Sequence, residues 1–267
     1  MSKTPNVPGT DRPAEKAAGH WLLAQLGKKV LRPGGRETTD WLLRRALGGQ
    51  IDVVEFAPGL GITAAEIIKR QPKTYTGVDL DPKAAEIVRG RIGDNPNYTV
   101  VNAGAQETGL PDASYDVVVG EAMLTMQGDK GKAAIVAEAV RVLRPGGRYA
   151  IHELALRGDR SPAELEAARE ELSRTIRVGA RPLPLEAWKD LLTDAGLVVE
   201  WTGTAPMHLL EPGRLVQDEG LLGAARFWRN VRRTPGARDR VRAMRQAFQL
   251  QGELLSAVGM VARRPQA

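Results

Sequence analysis

The spacing of apolar side chains predicts that strands and helices alternate along most of the chain. Residues 19–30 and 38–47 carry apolar side chains at helical spacing on either side of an LRPGGR turn, which predicts two leading helices. Beyond them, β-rich apolar runs alternate with amphipathic segments, a pattern typical of a parallel sheet with helices on both faces. The predicted strands are 51–56, 75–80, 98–103, 115–120, 148–154, 197–203 and 255–262, and the predicted helices are 62–71, 82–92, 131–143 and 185–195.

Two segments are longer than this pattern requires. Residues 157–184 contain SPAEL, a typical helix start with proline in the first turn, and end in a proline-rich turn. Residues 205–253 carry apolar side chains at helical spacing on both sides of Pro235, which predicts a broken helical insert before the last strand. The predicted divisions are a flexible N-terminus at 1–18, N-terminal helices at 19–48, a doubly wound core at 49–204, a basic helical insert at 205–253, and a final strand and tail at 254–267.

Composition narrows the possible chemistry. The chain has no cysteine, which excludes disulfides, thiolate metal ligands and a cysteine nucleophile. Three scattered histidines give no ligand set either, so no metal is expected. The polar start lacks the apolar core of a signal peptide, and no apolar run is long enough to cross a bilayer. We therefore expect a cytoplasmic protein.

The basic excess lies at the C-terminal end. The formal net charge is +6, and residues 205–267 contain eleven arginines against five acidic residues. Arg238, Arg242 and Arg245 fall on one face of a predicted helix, where they could meet an anionic surface or simply face solvent. The insert could also form a homodimer contact. Few aromatic residues interleave with the arginines and no nucleic-acid module is present, so a nucleic-acid partner is not expected.

The strongest motif joins a strand, a glycine turn and a helix. Residues 53–63 read VVEFAPGLGIT, in which Gly59 and Gly61 let the backbone approach a ligand closely. Asp79 ends the next predicted strand, where an acidic side chain can accept hydrogen bonds from both ribose hydroxyls of an adenosine cofactor. The two features together predict a cofactor site.

With these motifs, residues 50–155 resemble the class I methyltransferases that use S-adenosylmethionine (SAM), in particular the methyltransferase type 11 group of ubiquinone and menaquinone biosynthesis. The resemblance implies a Rossmann-like, seven-stranded, mainly parallel sheet and SAM as cofactor. It places Glu55 near the amino group of the methionine moiety and Leu80 on the adenine. Gly104, Ala105 and Gln106, then residues 111–116, match the family's segment before the fourth strand, and RPGG at 144–147 matches its turn before the fifth.

Two positions depart from the family pattern. Ala57 stands where glycine is common, which a turn accepts if φ stays negative. Gly104 stands where the family usually has an aspartate that receives the adenine amino group, so Gln106, backbone or water must supply that hydrogen bond. The cofactor-binding residues predicted in total are Glu55, Ala57, Gly59, Gly61, Asp79, Leu80, Ala105, Gln106 and Glu121.

A nicotinamide-dependent oxidoreductase is the competing enzyme class, because strand, glycine turn, helix and distant acid serve that cofactor too. The A-x-G-x-G spacing here, followed by Ile62 and Thr63, differs from the G-x-G-x-x-G that fits a pyrophosphate. A non-catalytic module that binds SAM or an anion is the second alternative. The spacing favours the methyltransferase.

The sequence constrains the methyl acceptor and the catalytic mechanism less than it constrains the cofactor. Methyl transfer is a direct displacement, so the enzyme aligns the acceptor and removes a proton where the acceptor carries one. Glu121 and Glu153, at the ends of the fourth and fifth strands, are the candidate catalytic residues, and His152 is interpreted as a packed strand residue. The family resemblance implies that the N-terminal helices form a lid or cap. Arg36, in the glycine turn between them, is free to reach a ligand carboxylate. The acceptor is expected to be a small or lipid-like molecule.

Overall fold

The computed structural model describes residue 8, residues 13–157 and residues 160–266. Most of the predicted flexible N-terminus lies outside these residues. Residues 13–18 are described and form a turn in which Ala14 and Ala17 are buried. This short segment therefore belongs to the packed domain.

One eight-stranded sheet forms the centre of the molecule, in the order β3-β2-β1-β4-β5-β8-β7, with the short β6 paired to β5. All pairings are parallel except those of β8, which runs antiparallel to both β5 and β7. The predicted mainly parallel, doubly wound sheet is confirmed, with one strand more than predicted. The strands are β1 (Asp52–Phe56), β2 (Thr74–Val78), β3 (Tyr98–Val101), β4 (Tyr115–Glu121), β5 (Leu143–Leu156), β6 (Leu183–Pro184), β7 (Val198–Pro206) and β8 (Leu255–Arg263).

Helices cover the sheet and continue beyond its carboxyl edge. The break near Pro235 is confirmed, because one helix ends at Arg233 and the next begins at Ala237. A further break inside α8 was not predicted: Gly220 has φ 74°, which interrupts the helical backbone. The helices are α1 (Gly19–Gln25), α2 (Gly35–Ala46), α3 (Ile62–Ile68), α4 (Pro82–Ile92), α5 (Asp129–Val142), α6 (Pro162–Ile176), α7 (Leu185–Asp194), α8 (Pro212–Arg233) and α9 (Ala237–Leu250).

The apolar side chains form three buried clusters. One lies between the sheet and α5 and α7, and a second lies on the opposite face under α2, α3 and α4. The third joins α1, α6, α8 and α9 to the ends of β5 and β8. The leading helix and the helical insert therefore share a core of their own beside the carboxyl edge of the sheet. None of the helices in the described part of the chain is long and apolar enough to span a membrane.

Candidate active site

A cleft of about 290 Å³ opens at the carboxyl ends of the central strands. Strand β1 pairs with β2 on one side and with β4 on the other, and both pairings are parallel. Strands β2 and β3 are added on one side of β1 and the next strand, β4, on the other, so the strand order reverses between β1 and β4. Ligands of open parallel sheets bind at such a reversal. Of the nine predicted cofactor residues, all except Gly61 line this cleft.

In the glycine turn after β1, every second residue from 57 to 61 has a left-handed backbone conformation. Ala57, Gly59 and Gly61 have φ of 52°, 55° and 66°. The negative φ under which a turn readily accepts alanine at this position is not found at Ala57. Its backbone N–H donates to the carbonyl of Val78 at 2.8 Å, which fixes the turn against β2 although a β-carbon disfavours this conformation.

Glu55 lies at the floor of the cleft and is 2% exposed. The Tyr75 hydroxyl donates a hydrogen bond of 2.7 Å to Glu55 Oε2. Burial raises the pKa of Glu55 to about 8, the Tyr75 hydrogen bond lowers it, and the nearby charge of Glu121 raises it further. The pKa of Glu55 therefore lies above neutral pH, which favours the protonated carboxyl group.

Asp79 faces the glycine turn across the cleft. The backbone N–H groups of Gly59 and Asp81 each donate to its carboxylate at 3.0 Å. Burial raises the pKa of Asp79, and these two hydrogen bonds act in the opposite direction. The next side chain, Leu80, lines the cleft and is 72% exposed, which makes it an apolar surface open to a ligand.

The loop after β3 supplies the third wall. Gly104, Ala105 and Gln106 all line the cleft. A β-carbon on Gly104 would lie 2.6 Å from Nε2 of Gln106, so the amide of Gln106 occupies space that a side chain at 104 would need. Glycine at 104 and glutamine at 106 thus fit one another.

Glu121, at the end of β4, is the centre of a buried polar network. Its carboxylate accepts hydrogen bonds from Thr39 Oγ1 at 2.6 Å, His152 Nδ1 at 2.8 Å and Thr63 Oγ1. Arg32 Nε lies 3.6 Å away. Burial alone would raise the pKa of Glu121, but Arg32, His152 and Thr39 together hold it at about 2. Glu121 is a fixed negative charge rather than a group poised to take a proton.

The side chain of Glu153 does not line the cleft. It is fully buried and accepts hydrogen bonds from the backbone of Met123, Leu124 and Thr125 and from the Thr125 hydroxyl, at 2.7–3.0 Å. Burial raises the pKa of Glu153 in spite of these bonds. The arrangement favours a role in shaping the turn after β4 over the predicted role of a base. His152 is fully buried too, as its interpretation as a packed residue requires.

The N-terminal segment covers part of the cleft. Trp21, Lys29 and Arg32 line it, whereas Arg36 lies outside and pairs with Glu66 at 3.1 Å. The arginine predicted to reach a ligand from the LRPGGR turn was Arg36, whereas Arg32, four positions earlier in the same turn, is the one that lines the cleft. The hydroxyl groups of Thr39 and Thr63 were not predicted as part of the site. Thr63 ends the glycine motif, but like Thr39 it reaches Glu121 only through the fold.

A second, apolar cavity of about 80 Å³ lies beside the cleft. Its walls come from segments far apart in the chain, including α1, α6, α9 and the turn after β4. Both cavities are lined by His20, Leu31, Ala122 and Met126. Residues that line the second cavity but not the cleft include Leu23, Leu154, Leu172, Ile176, Ala180, Met207, Met244 and Phe248.

The basic face of the insert lies away from both cavities. Arg238 and Arg242 are exposed, while Arg245 is half-buried and pairs with Glu211 at 3.2 Å. Within the described residues, no group of three or more histidine and carboxylate side chains could hold a metal ion.

Comparisons with known proteins agree with this geometry. A family model described as a methyltransferase domain matches residues 53–147. An uncharacterized protein of Haemophilus influenzae is 35% identical over 82% of this chain and 87% of its own length. A protein of Mycobacterium bovis named "Putative O-methyltransferase" is 34% identical over 59% of this chain and 80% of its own length. The structure of phosphoethanolamine N-methyltransferase 2 from Haemonchus contortus, in complex with phosphomonomethylethanolamine and S-adenosylhomocysteine, aligns with a TM-score of 0.70 at 16% identity, covering 97% of this chain and 59% of that one.

Proposed function

Because the chain belongs to the class I SAM-dependent methyltransferases, we propose that it transfers the methyl group of SAM to a small-molecule acceptor that reaches the cleft between α1 and the turn after β4. The observation that carries the proposal is the convergence of Glu55, the glycine turn, Asp79 and Leu80 on one cleft at the reversal of the sheet. This convergence also favours a methyltransferase over the nicotinamide oxidoreductase considered above.

The residues of the cleft fit the parts of SAM. Asp79 would accept hydrogen bonds from the ribose hydroxyls, and the exposed Leu80 would pack against the adenine. Gln106, whose amide fills the space above Gly104, would accept from the adenine amino group in place of the family's aspartate.

The methionine end of SAM fits the charged end of the cleft. Glu55 would receive the ammonium group. Arg32 Nε is buried and has no hydrogen-bond partner among the described residues, which suits it to the carboxylate of the methionine moiety. When bound, SAM supplies an electrophilic methyl group on a positively charged sulfur, and the fixed charge of Glu121 lies in the same cleft.

The name of the mycobacterial relative, O-methyltransferase, favours oxygen as the acceptor atom. Because Arg32, His152 and Thr39 hold Glu121 ionised and Glu153 lies outside the cleft, neither carboxylate is proposed to accept a proton. Glu121 is proposed to contact the cofactor, and Glu153 to position residues 123–125.

Parallel calorimetric titrations with SAM, S-adenosylhomocysteine and NADH test the enzyme class. We expect micromolar binding of the two sulfur compounds, worth about 8 kcal/mol, and no binding of NADH. Binding of NADH alone, or of none of the three, would contradict the proposal.

The Asp79→Ala variant tests the cofactor site. We expect SAM affinity to fall by about 1–3 kcal/mol, because charge-assisted hydrogen bonds to the ribose are lost. Asp190→Ala, which removes an exposed carboxylate on α7, serves as the matched control. Equal affinities of the two variants would rule out the ribose assignment.

A further inference from the structure

The second cavity is lined almost entirely by apolar side chains. Among the described residues that line it, only His20 and Thr125 have polar side chains. The Thr125 hydroxyl is already engaged, since it donates to Glu153 at 2.7 Å and accepts from the backbone of Leu154 at 3.3 Å. A guest in this cavity would therefore meet hydrocarbon walls and one available polar group, His20.

His20 lies where the two cavities meet. Its Nδ1 atom is closed off from solvent and has no hydrogen-bond partner among the described residues. The ring packs against Trp21, with 4.9 Å between ring centroids. Burial lowers the pKa of His20 to about 4, so the imidazole is neutral at physiological pH and one of its nitrogens can accept a hydrogen bond. A buried polar atom without a partner is unfavourable unless a ligand satisfies it.

We propose that the second cavity is the acceptor chamber, that it takes an apolar molecule bearing an acidic hydroxyl group such as a phenol, and that Nδ1 of His20 accepts the proton of that hydroxyl. The proposal rests on the methyltransferase function above and specifies its substrate class. His20 and Met126 line both cavities, so a hydroxyl beside His20 lies at the passage to the cofactor cleft, and the apolar body of the acceptor extends from this passage into the chamber.

The reaction is balanced without a further reactant. The acceptor oxygen forms a bond to the methyl carbon, the bond between that carbon and sulfur breaks, and its electron pair stays on sulfur. The hydroxyl proton passes to Nδ1 of His20, in the tautomer that carries its own proton on Nε2. One positive charge disappears from sulfur as one appears on the imidazole, so the number of positive charges in the closed site does not change. This offsets the unfavourable desolvation that lowers the pKa of His20 in the resting protein.

Binding of a model phenol tests the chamber directly. Protein saturated with S-adenosylhomocysteine is titrated with phenol and with toluene, which has nearly the same shape and lacks the hydroxyl. We expect the phenol to bind at least about tenfold more tightly, equivalent to about 1.4 kcal/mol. The absence of phenol binding, or equal affinity of the two compounds, would overturn the proposal.

Two variants separate the roles of His20 and of the chamber. His20→Phe keeps an aromatic ring and removes the acceptor nitrogen, so the preference for the phenol is expected to disappear. Ala180→Leu places three extra carbon atoms in the wall of the second cavity, away from the cofactor cleft, and is expected to weaken both compounds by at least about tenfold, the same 1.4 kcal/mol. A preference that survives His20→Phe, or binding that survives Ala180→Leu, would overturn the proposal.

His208→Phe, the same replacement at an exposed histidine outside both cavities, serves as the control and is expected to bind like the parent protein. The affinity for S-adenosylhomocysteine, measured in every variant, keeps the two hypotheses apart. If the parent protein does not bind S-adenosylhomocysteine, the proposed function itself is contradicted. Retained affinity without a phenol preference would contradict only the acceptor chamber.

Discussion

The cofactor side and the acceptor side of this molecule are built in different ways. On the cofactor side, the groups that face the cleft lie at or directly after the carboxyl ends of adjacent parallel strands, as Glu55, Asp79 and Glu121 do on β1, β2 and β4. On the acceptor side, the chamber is enclosed by α1, α6 and α9, and Arg240 joins α9 to the carbonyl of Ala17 across 223 positions. Local motifs specify the first region, and long-range packing specifies the second.

The two regions also differ in electrostatics. Three buried carboxyl groups lie around the cofactor cleft, and their pKa values differ widely because each has different partners. The acceptor chamber is lined by hydrocarbon, with a single available polar side chain among its described residues. A positively charged donor and an apolar acceptor would each find a matching environment.

The largest effect is expected where the two regions meet, at Glu153. Glu153→Ala leaves three buried backbone N–H groups of the turn after β4 without an acceptor, so we expect unfolding free energy to fall by about 4 kcal/mol in urea titrations. Glu186→Ala, at an exposed carboxylate, is the control. A loss below about 1 kcal/mol would show that this hydrogen-bonded turn does not depend on Glu153.

A buried ion pair at Lys28 connects the leading segment to the helical insert. The buried ammonium group of Lys28 lies 3.5 Å from Asp218 and 3.9 Å from Glu219, both in α8. Lys28→Met removes the cation beside Glu219 and leaves Asp218 paired with Arg214 alone, at 3.6 Å, and we expect a loss of about 3 kcal/mol in unfolding free energy. Hydrogen exchange should speed up in residues 28–36 and stay unchanged in β1 and β2. Lys29→Met, at an exposed position, is the control, and equal exchange in both variants would argue against this attachment.

Glu55 gives the cofactor side a pH dependence of its own. In the folded protein this carboxyl keeps its proton up to about pH 8, whereas in the unfolded chain it loses it near 4.5. The folded state therefore binds more protons between these values, and stability falls as pH rises through this window. Glu55→Gln removes that contribution and should stabilise the protein at pH 9 relative to pH 6 by about 2 kcal/mol. The same pH dependence in both proteins would show that Glu55 is ionised throughout.

Ala57 is expected to give the smallest effect. Because its φ of 52° is unfavourable for a residue with a β-carbon, Ala57→Gly should raise the unfolding free energy by about 0.5 kcal/mol after the larger entropy of glycine in the unfolded chain is included. Ala225→Gly, at an exposed helical position, should lower it by about 1 kcal/mol. Destabilisation by both substitutions would show that the turn does not strain Ala57.

Much of the fold was predictable because strand and helix periods are local properties. Every strand predicted from the β-rich runs is present, as is the break near Pro235. Strand β6 was missed because two paired residues, Leu183 and Pro184, show no period. The break at Gly220 was missed because a single glycine within an amphipathic helix does not reveal its backbone angles.

The sequence by itself determined the sheet, the glycine turn and the acidic positions at the strand ends, because each depends on residues close together in the chain and on the constant geometry of parallel strands. Only the tertiary structure decided that Arg32 rather than Arg36 reaches the cleft, that Glu153 turns away from it, and that His20 stands between two cavities. These placements depend on how α1, α2 and the insert pack against the carboxyl edge of the sheet, and packing between distant segments leaves no periodic signal in the sequence.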